Sequence, residues 1–292
     1  MQRNNEVIQA IKDFQKHHGK EVTIEMLNIE DDKIYVLFGG NICNTCSTYD
    51  YFEDFIVSLE KFSSSPWIMA SVEDLHTSYK VVYVKADFIK DLKSLKEEVG
   101  EKVNERIKEF EEVKKKGEKD VFKELCFCIL TANFTARGGI RIQEEIGDGF
   151  LSLSKEELRD KLKSLGHRFP NTRAEYIFEA REHIKTIFEL VNSNLTGKEI
   201  REYLVKNIKG LGYKEASHFL RNIGYKDVAI IDRHILKFLF NKGLINFENI
   251  SLTKKRYLET EKILEAIAKK LNFNLAELDL YIWYKMTGEI LK

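Results

Sequence analysis

A lysine and an aspartate that follow a two-glycine turn are the residues of this sequence best suited to chemistry. Lys214 lies just beyond the turn, and Asp232 ends the apolar run 228–231. A lysine that is partly buried near the positive end of a helix dipole loses its proton more readily and can then attack carbon. A nearby carboxylate can accept that proton and stabilise positive charge on a sugar ring. The pair predicts covalent amine catalysis, with a solvated lysine and a helix-capping aspartate as the alternatives.

Two helices are predicted on either side of this turn. Thr196 and Glu199 have the spacing of a capping box, which indicates a helix before it, and a second helix is predicted over 213–223. Gly210 and Gly212 can adopt the backbone conformations that the turn needs. Free N–H groups at such a turn and at a helix start suit a DNA phosphate. The alternative is a tight turn that binds nothing.

The turn, Lys214 and Asp232 resemble the helix-hairpin-helix glycosylase superfamily, which includes endonuclease III. The sequence is more similar to one branch, the archaeal-type second class of 8-oxoguanine DNA glycosylase/AP lyases. Five separated segments carry this resemblance: 123–136, 165–169, 207–224, 229–236 and 277–292.

This resemblance implies an all-α helix-hairpin-helix glycosylase domain over 88–292. Because the pattern of residues 1–87 predicts a small α/β domain in front of it, the expected fold class of the whole chain is α+β. The glycosylase domain is expected to have two helical subdomains with the active site in the cleft between them. The implied function is base-excision repair of double-stranded DNA containing 8-oxoguanine. Lys214 would attack C1′, expel the flipped base and form a Schiff base, and β-elimination would then nick the strand, with Asp232 as the paired carboxylate. Catalysis would require no cofactor.

The same resemblance implies which residues bind the substrate. In this branch the last lysine, here Lys292, recognises the oxidised guanine together with its main-chain carboxylate, because a carboxylate can accept hydrogen bonds from guanine N1–H and N2–H. Trp283 would form a pocket wall or stacking surface, with ordinary core packing as the alternative. Phe169 would stack on the base, and Asn133 would fill the hole that it leaves, unless it only forms a local turn. Four residues are expected at DNA phosphates: Gly210, Gly212, Arg137 and Arg168.

Residues 1–87 lie outside this resemblance and are acidic. They hold 8 Lys and Arg against 14 Asp and Glu, whereas the remainder holds 39 against 33, so a net charge of zero hides an acidic front and a basic remainder. A basic domain suits phosphate binding, and the acidic one is not expected to touch DNA. The pattern of the front predicts helix, strand, strand, helix and strand, followed by a linker near 86–90.

Cys43 and Cys46 follow a predicted strand and a glycine pair, a pattern that resembles the C-terminal domain of NifU-type iron–sulfur scaffold proteins. Two thiolates cannot complete a tetrahedral metal site, so a metal or iron–sulfur cluster would need ligands from elsewhere or from a second chain. Redox chemistry is a second hypothesis. A third is a domain used only to bind a partner or to self-associate. Cys126 and Cys128 are expected to be buried packing residues.

Composition limits the location. No apolar run approaches the roughly 20 residues of a membrane span, the N-terminus lacks a signal-peptide apolar region, and four cysteines do not suggest a secreted disulfide framework. We expect a cytoplasmic protein with no membrane partner, associated with the nucleoid when bound to DNA. Two other functions stay open: a glycosylase/lyase for another oxidised or alkylated base, and a non-catalytic helix-hairpin-helix DNA-binding protein.

Overall fold

A computed structural model describes residues 2–44, 48–247 and 252–292 of the protein. Helices predominate, and the strands form one antiparallel sheet, so the α+β class predicted from the sequence is confirmed. In the described part of the chain, no helix combines the length and the apolar character needed to cross a membrane.

The helices and strands follow one another along the chain in two stretches. The first stretch contains α1 (Gln2–His18), β1 (Val22–Glu30), β2 (Lys33–Gly40), α2 (Thr48–Phe62), β3 (Trp67–Asp74), β4 (Tyr79–Lys85) and α3 (Phe88–Lys115). The second contains α4 (Glu118–Thr131), α5 (Ala136–Ile146), α6 (Gly149–Ser152), α7 (Lys155–Ser164), α8 (Pro170–Ala180), α9 (Ile184–Val191), α10 (Gly197–Asn207), α11 (Tyr213–Asn222), α12 (Arg233–Asn241), α13 (Lys254–Leu271) and α14 (Leu275–Thr287).

The first of two compact units comprises Met1–Leu95 and Leu236–Asn272. Its sheet has the order β1-β2-β4-β3 with every pair antiparallel. Alternation along β2 buries Val36 and Phe38, and Phe38 meets Phe14 of α1 and Phe52 of α2 edge to face at 5.8 and 4.9 Å. The core of this unit is therefore an aromatic layer between the sheet and two helices.

The strand order predicted for residues 1–87 is wrong in one element, because β3 was not expected. This strand pairs with β4 in a register that places Ile68 opposite Val84. It opens with adjacent apolar residues, not alternating ones, and closes with Glu73 and Asp74, so its sequence lacks the strand pattern. Pairing with β4 and packing against α2 specify it instead. In addition, α3 begins at Phe88, inside the predicted linker 86–90.

The second unit comprises Lys96–Ile235 and Phe273–Lys292. Helix α4 is its centre: the residues from Glu124 to Thr131 are all buried, and α4 packs against α5, α8, α9 and α11. Cys126 and Cys128 are fully buried there, as predicted, and burial raises the pKa of both thiols well above the usual value. These cysteines are therefore packing residues, not nucleophiles.

Local signals place the two helices around the glycine turn. At the start of α10, Glu199 N–H donates to Thr196 Oγ1 at 3.3 Å and Thr196 N–H donates to Glu199 Oε2 at 2.7 Å, which confirms the predicted capping box. Helix α11 starts at Tyr213 as predicted and is capped by Ile223. Gly224, with φ of 96°, follows Ile223 and completes the cap, because its N–H donates to Arg221 O and the Tyr225 N–H donates to Leu220 O, both at 3.0 Å.

Candidate active site

The glycine turn between α10 and α11 is tight enough to require its first glycine. Gly210 has φ of 84°, and a Cβ there would lie 2.4 Å from the Tyr176 ring. Gly212 caps α11, and its N–H donates to Glu215 Oε2 at 3.2 Å. A phosphate at this turn would therefore compete with Glu215 for the Gly212 N–H.

Lys214 is the second residue of α11 and is 29% exposed. Its Nζ lies 3.9 Å from Glu215 Oε1. His218 lies one turn further along the same helix face. The charge of Lys214 lowers the pKa of the His218 ring, although burial and Arg221 lower it more. The lysine is thus partly buried, close to both the Glu215 carboxylate and the buried His218 ring.

Asp232 caps α12 through one oxygen. His234 N–H and Ile235 N–H both donate to Asp232 Oδ1 at 2.9 Å. The capping role considered from the sequence is therefore present. Because both bonds use the same oxygen, Asp232 can cap the helix with Oδ1 and act on a substrate with Oδ2.

The buried carboxyl of Asp279 interacts electrostatically with Lys214 and Asp232. The pKa of Asp279 on α14 is raised to about 6, mainly by burial; Arg221 opposes this rise, the charge of Asp232 adds to it, and Lys214 opposes it. Arg221 Nη2 lies 3.6 Å from Asp279 Oδ2. The shifts show that Lys214, Asp232 and Asp279 share one electrostatic environment, in which a carboxyl can gain or lose a proton near neutral pH.

The side chain of Lys292 is held by protein groups. Its Nζ donates to Glu124 Oε2 at 3.0 Å and to Gln143 Oε1, and lies 4.6 Å from the centre of the Phe127 ring. Glu124 is 3% exposed and also accepts a hydrogen bond from Asn222 Nδ2 at 2.6 Å. The ammonium group is therefore an anchor inside the unit and is not free to contact a base.

Several buried polar atoms around this anchor lack partners. Within the described residues, neither ring nitrogen of His218 makes a hydrogen bond of normal geometry, although the Lys292 main chain lies close enough to the ring to oppose the lowering of its pKa. Asn222 Oδ1 and the indole N–H of Trp283 also lack partners there, and the Trp283 ring meets His234 edge to face at 4.8 Å. A polar ligand bound beside Lys292 could pair with these buried groups.

The other residues predicted to contact DNA lie at the surface. Asn133 is exposed between α4 and α5 with φ of 61°. Phe169 precedes α8, is 39% exposed, and lies 5.1 Å from the Arg168 guanidinium. Arg137 is exposed and paired with Glu289. Both arginines are thus accessible, and Arg137 would have to leave its partner to bind a phosphate.

Sequence reasoning missed five residues of this site: Glu124, Gln143, His218, Arg221 and Asp279. Glu124 and Asp279 carried a signal, because each interrupts the apolar face of a helix and a buried charge needs a partner. His218 stands four residues after Lys214, which places both on one helix face. Gln143 and Arg221 had no such signal, since their partners come from distant segments.

No metal centre is evident in residues 2–44, 48–247 and 252–292: no three His, Cys, Asp or Glu side chains there could hold an ion together. Cys46 and the side chain of Cys43 lie outside the described residues, so their metal or cluster site stays a prediction. A cavity of about 1040 Å³ in the first unit is lined by α2, β3 and α13 and contains none of the residues predicted to bind the substrate.

The family model for 8-oxoguanine DNA glycosylase matches residues 103–273. An 8-oxoguanine DNA glycosylase/AP lyase of Methanocaldococcus jannaschii is 58% identical over 205 residues, which cover 70% of this chain and 99% of that protein. A protein of the same description from Korarchaeum cryptofilum is 51% identical, with 70% and 98% covered.

A solved structure is similar as well. It is the crystal structure of the M. jannaschii 8-oxoguanine glycosylase/lyase in complex with a 15mer DNA containing 8-oxoguanine. The similarity has a TM-score of 0.68 at 56% identity and covers 70% of this chain and 99% of that one. The resemblance of residues 1–87 to NifU-type proteins stays a prediction.

Proposed function

We propose that this chain, which belongs to the 8-oxoguanine DNA glycosylase family, removes 8-oxoguanine from double-stranded DNA and then cleaves the strand as an AP lyase. The observation that carries the proposal is a lysine in the first turn of α11, directly after a glycine turn, in a chain that is 58% identical to a named glycosylase/lyase. The proposed glycosylase domain is 88–292, whose length of 205 residues equals the aligned length.

In the proposed mechanism the neutral amine of Lys214 attacks C1′ of the flipped nucleotide. The C1′–N9 bond breaks, and the base leaves with the bonding electrons and takes up a proton. Ring opening gives a Schiff base, and loss of a C2′ proton then expels the 3′ phosphate by β-elimination. Asp232 accepts the lysine proton and stabilises the positive charge that develops on the sugar.

The proposed substrate contacts come from the site described above. Trp283 and the Lys292 main chain bound the base pocket, Phe169 stacks on the base, and Asn133 fills the space it leaves. Gly210, Gly212, Arg137 and Arg168 hold phosphates. The anchor on the Lys292 ammonium supports a division of roles, in which the side chain fixes the residue and its main-chain oxygens accept hydrogen bonds from guanine.

The amine and the carboxylate supply the nucleophile and the base, so we propose that catalysis needs no metal or cofactor. Cys43 and Cys46 are retained as a separate proposed metal or cluster site of the front domain, which is also proposed to bind a partner or to self-associate. The proposed location is the interior of the cell, on the nucleoid when DNA is bound.

Borohydride trapping on a duplex with a single 8-oxoguanine tests the proposal. The wild type should form a covalent adduct, and Lys214→Gln should form none while still binding the duplex. Lys206→Gln, which changes an exposed lysine of α10, is the matched control and should trap like the wild type. Binding without any adduct in the wild type would favour another oxidised or alkylated base or a non-catalytic DNA-binding protein. An adduct with Lys214→Gln would assign the nucleophile elsewhere.

A further inference from the structure

His167 joins two surface bends of the second unit. It lies between α7 and α8, is 4% exposed, and follows Gly166, whose φ of 80° turns the chain. On one side, its Nε2 lies 3.0 Å from the carbonyl oxygen of Leu130, at the end of α4. On the other, the N–H of Phe169 donates to its Nδ1 at 3.1 Å. One imidazole ring thus bridges the end of α4 and the start of α8.

The two hydrogen bonds require one protonation state. Because Nδ1 accepts from a backbone N–H, the ring proton must be on Nε2, where it donates to Leu130 O. Burial lowers the pKa of His167, and the Arg173 guanidinium lowers it further against the opposing bond to Leu130. The ring is therefore neutral at pH 7, and a second proton would remove the acceptor that Phe169 uses.

Packing makes this bridge stiff. The Phe134 ring lies 4.5 Å from the His167 ring and also covers Gly138, where a Cβ would come within 2.5 Å of it. Arg173 Nη2 donates to Ala132 O at 2.8 Å, a second link from α8 to the same bend. The bend that carries Asn133 is thus fixed to the segment that carries Phe169.

We propose that His167 is a positioning residue that couples Asn133 to Phe169, so that filling of the vacated space and stacking on the flipped base occur as one event. The inference rests on the proposed function and adds a residue that contacts neither the base nor the reacting sugar. The hydrogen bond to Leu130 positions the bend that carries Asn133, and the hydrogen bond from Phe169 positions the ring that stacks on the base.

Two substitutions each remove one half of the bridge. His167→Asn keeps an acceptor near the Nδ1 position, for Phe169, and loses the donor to Leu130. His167→Gln reaches Leu130 with its amide and loses the acceptor for Phe169. His183→Asn, at a half-buried histidine paired with Tyr203, is the matched control. Because either break uncouples the bends, both His167 variants should excise 8-oxoguanine from duplex DNA about tenfold more slowly, as expected for one lost hydrogen bond.

Borohydride trapping on a preformed abasic site separates this inference from the proposed function, because no base has to be stacked there. The His167 variants should trap at this site at a rate within about threefold of the wild type, because neither hydrogen bond of His167 is needed when no base is stacked. Equal losses on both substrates would overturn the coupling and give His167 a general structural role. Wild-type excision by either variant would also overturn it. A wild type that fails to trap would instead refute the amine chemistry.

A double-mutant cycle between Asn133→Gly and Phe169→Leu gives a second test that does not need a folded His167 variant. The glycine preserves the positive φ at residue 133. Coupling predicts that the double variant loses clearly less activity than the product of the single losses, because either change already uncouples the event. Strict additivity would overturn the proposal.

Discussion

Because Glu124 holds the Lys292 ammonium, we predict that Glu124 affects the selectivity for 8-oxoguanine over guanine without contacting the base. In Glu124→Gln the side chain keeps its shape and can still accept from Asn222, but the ammonium loses its only negatively charged partner among the described residues. Lys292 would then leave its position for part of the time. We expect the kcat/KM for 8-oxoguanine to fall, and with it the ratio of kcat/KM for 8-oxoguanine to kcat/KM for guanine.

The size of this effect follows from burial. The Lys292 and Glu124 side chains are 20% and 4% exposed, so solvent screens the pair only weakly. A hydrogen bond to a charged group contributes about 1.5–3 kcal/mol. Gln143 Oε1 and the Phe127 ring still hold the ammonium, which favours the lower part of that range. About 2 kcal/mol corresponds to a roughly 30-fold smaller preference for the anchored position.

Single-turnover excision on matched duplexes with 8-oxoguanine or guanine measures the selectivity, and thermal unfolding checks the fold. Glu118→Gln is the control, because it removes the same charge at an exposed position of α4. Selectivity should fall at least about fivefold in Glu124→Gln, since part of a 30-fold shift is recovered when the base itself binds Lys292, and should be unchanged in the control. A folded Glu124→Gln protein with wild-type selectivity would refute the idea that the anchored Lys292 reads the base.

Two further predictions concern the carboxyl groups. Asp232→Asn should leave the unfolding temperature nearly unchanged, because asparagine caps a helix as well as aspartate does. The same substitution should slow borohydride trapping by about 10²–10⁴-fold. If this variant traps as fast as the wild type, Asp232 has no role in the mechanism. Asp279 should titrate near pH 6 by carboxyl ¹³C NMR, and Arg221→Gln should raise that midpoint because the guanidinium lowers the pKa. Because the pKa of Asp279 is raised from 3.8 to about 6 on folding, the folded state binds this proton more tightly than the unfolded state does. The free energy of unfolding should therefore fall as the pH rises from about 4 to 6, and denaturation at several pH values should show no such fall in Asp279→Asn.

The sequence predicts those parts of the fold that short-range interactions determine. The capping box at Thr196 and the start of α11 at Tyr213 were placed to the residue, because caps and glycines act within a few positions. Strand β3 was missed, since its pairing with β4 is what makes it a strand. The bond between Glu124 and Lys292 joins residues 168 positions apart, and no local pattern could indicate that distance.

The family segment and the packing divide this chain differently. Helix α13 lies within the segment that matches the glycosylase family, yet it belongs to the unit that contains the front sheet. Lys270 Nζ binds Glu60 Oε1 at 2.5 Å, and Glu60 Oε1 also accepts the Trp67 N–H at 2.8 Å. These side chains are 23% and 34% exposed, whereas the neighbouring pair of Lys269 and Glu53 is largely exposed and contributes little.

This arrangement bears on the role of the front domain. Because Glu60 links α13 to both α2 and β3, the front sheet supports a helix of the glycosylase segment itself. Lys214, Asp232, Asp279 and Lys292 all belong to the other unit. The contacts of Glu60 therefore bear on the stability of α13. An acidic domain that is not expected to bind DNA can thus matter to a repair enzyme by stabilising part of its helical scaffold.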